Sequence, residues 1–166
     1  KEIAFGIRGA GDFQIMAANP YGLITRPVTR YVQETFYYCG PASARQALSF
    51  HKVFSGSGVA LPSQTVLAGQ IGTTTAGSTT TAIASTLNSY DGTFGPIFYI
   101  ASDIADTPNP TETYWNRIGA MLSQVSEPTT PITLNQTMYL PRYGGYSCRH
   151  YITMSGIDGR SSPRLM

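Results

Sequence analysis

The spacing of apolar residues changes along this chain, and the change limits the folds open to it. Helical spacing dominates up to residue 125, whereas β-like runs dominate after it. Helices are predicted at 39–53, 63–72, 79–90 and 111–125, and strands at 96–101, 131–140 and 150–157. Because most of the helices precede the strands instead of alternating with them, the pattern favours an α+β domain over a doubly wound sheet.

The N-terminal segment 1–30 shows neither period. Its glycines and prolines predict loops and a short strand, so we expect an irregular lead-in to a single domain that covers 31–166. A chain of 166 residues is long enough for one domain with a buried core.

The charge and composition bear on the partners and the compartment. The net charge is +2 and the basic residues are scattered, so no nucleic-acid partner is expected. No apolar run approaches the ~20 residues of a membrane helix, and glycines interrupt 1–11 where a signal peptide would be apolar. The abundance of Thr, Ser, Gly and Tyr is typical of exported proteins. We therefore expect a secreted mature form, with a cytoplasmic protein as the alternative.

One of the two cysteines lies where a thiol can be activated. Cys39 is the first residue of the predicted helix 39–53, and the partial positive charge of a helix N-terminus stabilises a thiolate. Gly40 is predicted to let a substrate backbone approach the thiol, and Tyr38 to line the same place. Most cysteines are simply small buried hydrophobes. The helix position of Cys39 therefore indicates a catalytic thiol only if a base lies near it.

Two histidines are available as that base. His51 lies twelve residues after Cys39 on the same predicted helix, about 18 Å along its axis, so we expect it at the surface or the helix end. His150 begins the predicted strand 150–157. A histidine at a strand end that faces a cysteine at a helix N-terminus is the arrangement of a Cys–His pair. Taken alone, a histidine such as His150 is more often a structural strand residue, and only the joint pattern with Cys39 indicates a base.

Other residues are weaker candidates for the same site. Gln33 lies six residues before Cys39, and its amide could hold an oxyanion together with the Cys39 N–H. Gly145 and Tyr146 either line a substrate cleft or belong to an ordinary hairpin loop.

The second cysteine, Cys148, precedes His150 by two positions. It could face Cys39 and form a disulfide with it, or it could point away in the loop 141–149. Cys148 and His150 are the only close pair of soft metal ligands in the sequence, and two ligands do not make a zinc site. We therefore expect neither a metal nor a cofactor.

Two segments carry a family resemblance. Residues 33–43, which contain a Cys-Gly-Pro-Ala block, and residues 150–158, which begin with His-Tyr, resemble the active-site segments of cysteine peptidase family 39. That family is papain-like and includes peptidases that remove double-glycine leaders from bacteriocins. The likeness is nearer to its stand-alone, exported bacterial members, and it covers roughly 31–158.

The resemblance implies a papain-like α+β fold in which a helical half carries Cys39 and a β half carries His150. By the same likeness Cys39 is the nucleophile, His150 the base and Gln33 the oxyanion donor. The family also has an Asp or Asn after the histidine strand, often in an Asp-Pro pair, and this chain departs from that pattern. Either Asp158 replaces it, or the residue lies beyond Met166, or the site is incomplete.

The expected activity is therefore hydrolysis of peptide bonds through a thioester on Cys39, by a monomer acting on a peptide or protein substrate. An amidase, a deamidase or a transglutaminase-like enzyme would use the same residues. A non-catalytic peptide-binding module on a peptidase scaffold is the alternative of another class, and the missing Asp-Pro pair favours it.

Overall fold

The computed structural model describes residues 2–6, 23–104, 107–124, 128–136 and 144–158. The elements, in chain order, are β1 (Glu2–Gly6), β2 (Leu23–Thr25), α1 (Cys39–Ser55), α2 (Gln64–Ile71), α3 (Thr80–Asn88), β3 (Tyr99–Asp103), α4 (Pro110–Ser123), β4 (Ile132–Gln136), β5 (Arg149–Thr153) and β6 (Gly156–Asp158). This mixture of helices and antiparallel strands confirms the α+β prediction. In the described ranges no helix has the length and apolarity needed to cross a membrane.

The helix ends show why the four predicted helices form where they do. Side chains of Ser63, Thr79 and Asn109 accept hydrogen bonds from the first turns of α2, α3 and α4. The helix α1 differs, because Tyr38 gives it no side-chain cap. Its other end stops at Gly56, whose φ of 67° is readily adopted by glycine.

The strands form two antiparallel sheets. The larger sheet has the order β3-β1-β4-β5, and the smaller one pairs β2 with β6. The predicted strand 131–140 is observed as β4, and its residues 137–140 lie outside the described part of the chain. The predicted strand 150–157 divides into β5 and β6, which belong to different sheets.

The prediction of an irregular segment 1–30 needs correction. This segment supplies β1 in the middle of the larger sheet and β2 in the smaller one. Both strands are short, with 5 and 3 residues, and both pair with partners about a hundred or more residues away. Such pairing leaves little local periodicity for sequence reasoning to find.

Two apolar clusters lie on opposite faces of the larger sheet. One contains buried residues of α1, α2 and α3 together with Tyr151, and the other contains residues of α4 and β6 with Ile152 packed against them. Neighbouring residues of β5 thus contact different clusters, as the alternation along a strand requires. The helix α1 lies directly on β5, where the Thr153 hydroxyl donates a 3.0 Å hydrogen bond to the Ser43 carbonyl.

The prediction that His51 lies at the surface or the helix end is wrong. Its exposed fraction is 3%, and its Nε2 lies 3.0 Å from the hydroxyl of Tyr99. That hydroxyl donates to the Thr130 carbonyl and accepts from Thr129, so His51 is the donor in its own bond. The helix α1 is buried on several sides. The sequence did not indicate this at His51, because the charged residue Lys52 follows it. Burial lowers the pKa of His51 to about 4.

The buried His51 predicts an acid-sensitive fold. Its folded-state pKa of about 4 lies below the ordinary 6.5, so the unfolded chain binds the proton first as the pH falls. The contribution of the neutral His51 to the free energy of unfolding is fully present above pH 6.5. It falls by up to about 3 kcal/mol as the pH approaches 4. Urea unfolding of the wild type and of His51→Gln between pH 7.5 and 4 measures the effect. The substituted protein should lack this part of the pH slope, and parallel slopes would contradict the assignment.

Candidate active site

Cys39 occupies the first position of α1 and is half-buried. The helix has no side-chain cap at this end, and Pro41 in its first turn has no N–H to donate. The Ala42 N–H bonds the Tyr38 carbonyl at 2.8 Å. The thiol therefore lies at the positive end of a 17-residue helix, where a thiolate or a developing oxyanion is stabilised.

A cavity of about 370 Å³, which we call the Cys39 cavity, opens beside this thiol. Residues 76–81 form one wall, and residues 101–103 at the end of β3 form a second. The third wall consists of Leu134 on β4 with Arg149 and Tyr151 on β5. The walls combine hydroxyl groups with apolar side chains, so the cavity can contact both polar and apolar parts of a ligand.

The wall 76–81 is fastened to the large sheet by a buried tyrosine. The Tyr151 hydroxyl donates to the Ser78 carbonyl at 3.1 Å and lies 3.0 Å from the Thr80 hydroxyl. Thr73 and Ser78 join their hydroxyls at 2.9 Å within the same loop. The wall is thus held in place by the strand that carries His150.

Gly40 packs against the protein's own cavity wall on the side where other residues carry a Cβ. Gly40 is buried, and a Cβ added to it would lie 2.5 Å from Ser78 Oγ and 2.9 Å from Ser78 Cβ. The space on this side of the glycine is filled by Ser78 of the protein's own cavity wall. The glycine therefore permits the loop to pack against the start of α1.

His150 lies between two residues of β5 that line the Cys39 cavity, Arg149 and Tyr151. Side chains alternate along a strand, so the half-buried His150 belongs to the other face, and it does not line the cavity. The structure brings the two predicted partners onto elements that pack together, α1 and β5, without a hydrogen bond between Cys39 and His150 among the described residues. Desolvation lowers the pKa of His150.

An asparagine that the sequence did not indicate lies across from this histidine. Asn135 on β4 is the register partner of His150, and directly opposed residues of an antiparallel pair share a face. The Asn135 amide nitrogen donates to the carbonyl and to the hydroxyl of Thr133, at 3.2 and 2.7 Å. These bonds orient the amide and leave its oxygen as an acceptor.

The other candidate for a third residue, Asp158, lies elsewhere. It is on β6, opposite Leu23 in the smaller sheet, and eight residues separate it from His150. The intervening chain has no turn, and extended chain rises about 3.3 Å per residue. The structure therefore does not bring Asp158 next to His150. Asn135 was missed because it precedes the histidine, and only the strand register reveals it.

Gln33 is partly buried, and its amide nitrogen donates to the Thr35 carbonyl at 2.5 Å. The structure thus uses one of its two amide hydrogens within the loop before Cys39. Gln64, which the sequence did not single out, is almost fully buried at the start of α2. Its side chain accepts from the Glu34 N–H at 3.1 Å and donates to the Val32 carbonyl at 2.7 Å, so it fixes the backbone on both sides of Gln33.

The remaining predicted site residues do not line the Cys39 cavity. Tyr38 is half-buried and packs edge-on against Tyr37, with ring centroids 5.1 Å apart. Gly145 has a φ of 85° in a turn, and Tyr146 beside it is 70% exposed. Cys148 is half-buried, and neither it nor Cys39 forms a disulfide.

A cysteine at the uncapped start of a helix, beside a cavity in an α+β chain, is the arrangement of enzymes with a thiol nucleophile. Residues 25–164 match the family model of the Peptidase_C39-like family, and the chain belongs to this family of peptidases. The membership confirms the likeness seen in residues 33–43 and 150–158. Neither a curated protein nor a solved structure matches the chain.

The contact between Gly40 and Ser78 predicts a sharp steric effect. Gly40→Ala should lower the free energy of unfolding by about 1–3 kcal/mol, because the new methyl group overlaps Ser78. The matched control is Gly69→Ala in α2, which meets no atom within 4 Å and should stabilise by about 0.5–1 kcal/mol. Urea denaturation of both variants measures the difference.

A double-mutant cycle identifies the cause. In the presence of Ser78→Gly, the cost of Gly40→Ala should fall, because the overlapping atoms are gone. An equal cost with and without Ser78→Gly would mean that the overlap with Ser78 is not responsible.

Proposed function

We propose that this chain is a cysteine peptidase that hydrolyses peptide bonds through a thioester on Cys39, with a papain-like form of the α+β fold. The observation that carries the proposal is the position of Cys39, at the uncapped N-terminus of α1 and on the wall of a cavity, in a member of a peptidase family. Secretion as a mature protein and a monomeric state are part of the same proposal.

His150 is the proposed base. The chain has only two histidines, and His51 is buried against Tyr99, about 18 Å along α1 from Cys39. The strand β5 is the outer strand of its sheet, and the proposal requires the His150 ring to reach Cys39 around this edge. Because desolvation lowers the pKa of His150, its ring is neutral at pH 7 and can accept the thiol proton.

The proposed reaction moves one proton twice. His150 takes the proton of the Cys39 thiol, and the sulfur attacks the carbonyl carbon of the peptide bond. The Cys39 N–H and the second amide hydrogen of Gln33, which the Thr35 carbonyl does not use, donate to the oxyanion. His150 then gives the proton to the leaving amine, and water hydrolyses the thioester.

Asn135 is the proposed orienting residue for His150. It lies directly across from the histidine on the same face of the sheet, and its amide nitrogen is already held by Thr133. An oxygen acceptor in this position can hold the imidazole in one tautomer, as the third residue of a catalytic triad does. Asp158 lies in the other sheet and is the less suitable candidate.

One observation favours a second candidate function. Cys39 and His150 form no hydrogen bond among the described residues, and a peptide-binding module without catalysis would need none. Such a module would keep the Cys39 cavity while losing the reactive thiol. Activity and thiol reactivity therefore have to be measured together.

The test of the peptidase is a pair of measurements on one set of variants. Hydrolysis of a mixed peptide library should fall on the order of 10³-fold or more in Cys39→Ser and in His150→Ala, and it should persist in Cys148→Ser. Iodoacetamide below pH 7, followed by peptide mapping, should label Cys39 before Cys148, since only Cys39 lies at a helix N-terminus. Unchanged hydrolysis in Cys39→Ser, or faster labelling of Cys148, would contradict the proposal.

The orienting role of Asn135 predicts a separate loss. Asn135→Ala should lower kcat on the order of 10-fold and change the pH profile of kcat, because the imidazole loses its acceptor while the nucleophile remains. Asn135→Asp should restore most of the activity. Asp158→Asn is the comparison variant: if it causes the loss and Asn135→Ala does not, the orienting residue is Asp158. Thermal unfolding of each variant separates these effects from misfolding.

A further inference from the structure

One end of the Cys39 cavity carries a cation with no described partner. Arg149 is exposed at the start of β5 and lines the cavity, and no described residue bonds its guanidinium. By contrast, Arg45 lies 3.8 Å from a Glu34 carboxylate oxygen and 4.2 Å from the centroid of the Tyr31 ring, and Arg117 donates to the Ser102 hydroxyl. Arg149 thus lines the cavity without a described anion of the protein to neutralise it.

The carboxylate of Asp103, which also lines the cavity, is too distant to do so. Asp103 and Tyr151 stand in one row of the sheet, on strands β3 and β5, with β1 and β4 between them. Three strand spacings place the backbones of Asp103 and Tyr151 about 14 Å apart. Arg149 lies two residues from Tyr151 along β5, which is further still from Asp103. The backbones of the two residues thus lie on the two edge strands of the sheet, at opposite sides of the cavity. Among the described residues, the Arg149 end of the cavity is therefore positive.

The positive end is the end next to the nucleophile. The helix that begins at Cys39 packs on β5, the strand of Arg149, whereas Asp103 ends the strand on which α3 packs. The Ser78 hydroxyl belongs to the wall near this end and is a hydrogen-bonding group, whereas the Thr80 hydroxyl already donates to Tyr151. A guanidinium with a neighbouring hydroxyl is a good binding partner for a carboxylate.

We propose that the Arg149 end of the Cys39 cavity binds a carboxylate of the substrate, next to the bond that Cys39 attacks. The carboxylate comes either from an Asp or Glu side chain near the scissile bond or from a free C-terminus. The position of the cleaved bond rests on the proposed peptidase function, whereas the carboxylate site itself does not.

The site can be tested on the thiol alone, without turnover. In a Cys148→Ser background Cys39 is the remaining thiol, and its sulfur displaces iodide from either anionic iodoacetate or neutral iodoacetamide. A cation beside Cys39 speeds the anionic reagent, so Arg149→Gln should lower the ratio of the iodoacetate to the iodoacetamide rate by about threefold or more. A change in the thiolate fraction alters both rates equally and leaves the ratio unchanged.

Two further variants complete this test. Arg149→Lys keeps the charge and should retain most of the ratio. Arg30→Gln removes an exposed arginine that does not line the cavity and should leave the ratio at the wild-type value. Circular dichroism checks that the wild type and Arg149→Gln are both folded. An equal ratio of the two alkylation rates in these folded proteins would overturn the proposal.

Paired peptides then identify the source of the carboxylate. A Glu peptide is compared with its Gln analogue, both with amidated C-termini, and a peptide acid is compared with its own amide. One of these pairs should show a kcat/KM preference for the carboxylate of about tenfold, which Arg149→Gln abolishes and Arg30→Gln leaves intact. Cleavage without preference in either pair would overturn the carboxylate site. If no peptide is cleaved while the alkylation ratio depends on Arg149, the peptidase proposal fails and the anion site stands.

Discussion

The packing of α1 on β5 is the contact on which the candidate site depends. Ala44, Ala47 and Leu48 of the helix are fully buried, and small side chains allow the helix to lie close to the strand. The hydrogen bond from Thr153 to the Ser43 carbonyl ties the two elements near the start of the helix. Because Cys39 begins α1 and His150 lies near the start of β5, this one interface sets where the thiol and the imidazole are.

The far part of the same helix is held by polar groups. His51 bonds Tyr99, and Tyr99 bonds Thr129 and Thr130, so a chain of buried hydrogen bonds connects α1 to the start of β3 and to the segment before β4. Such a network is favourable only while every member keeps its partner. The neutral His51 is therefore part of what keeps α1, and with it Cys39, in its position.

The sequence predicted the parts of this structure that depend on local patterns. The four helices have periodic apolar residues, and Ser63 caps one of them. The strands β1 and β2 escaped prediction because they pair with residues far along the chain. The burial of His51, the filled space beside Gly40 and the placement of Asn135 depend on tertiary packing and strand register, which no single segment encodes.

The contact of Ser78 with Gly40, between the cavity wall and α1, limits which positions of the site can change over evolution. Ser78 fills the space beside Gly40, and its carbonyl is held by Tyr151, so a substitution at 78 disturbs both the wall and the start of α1. Ala76 and Thr81 belong to the same wall but are exposed. Variation at these two positions can reshape the cavity for new ligands at little cost in stability, while position 78 stays constrained.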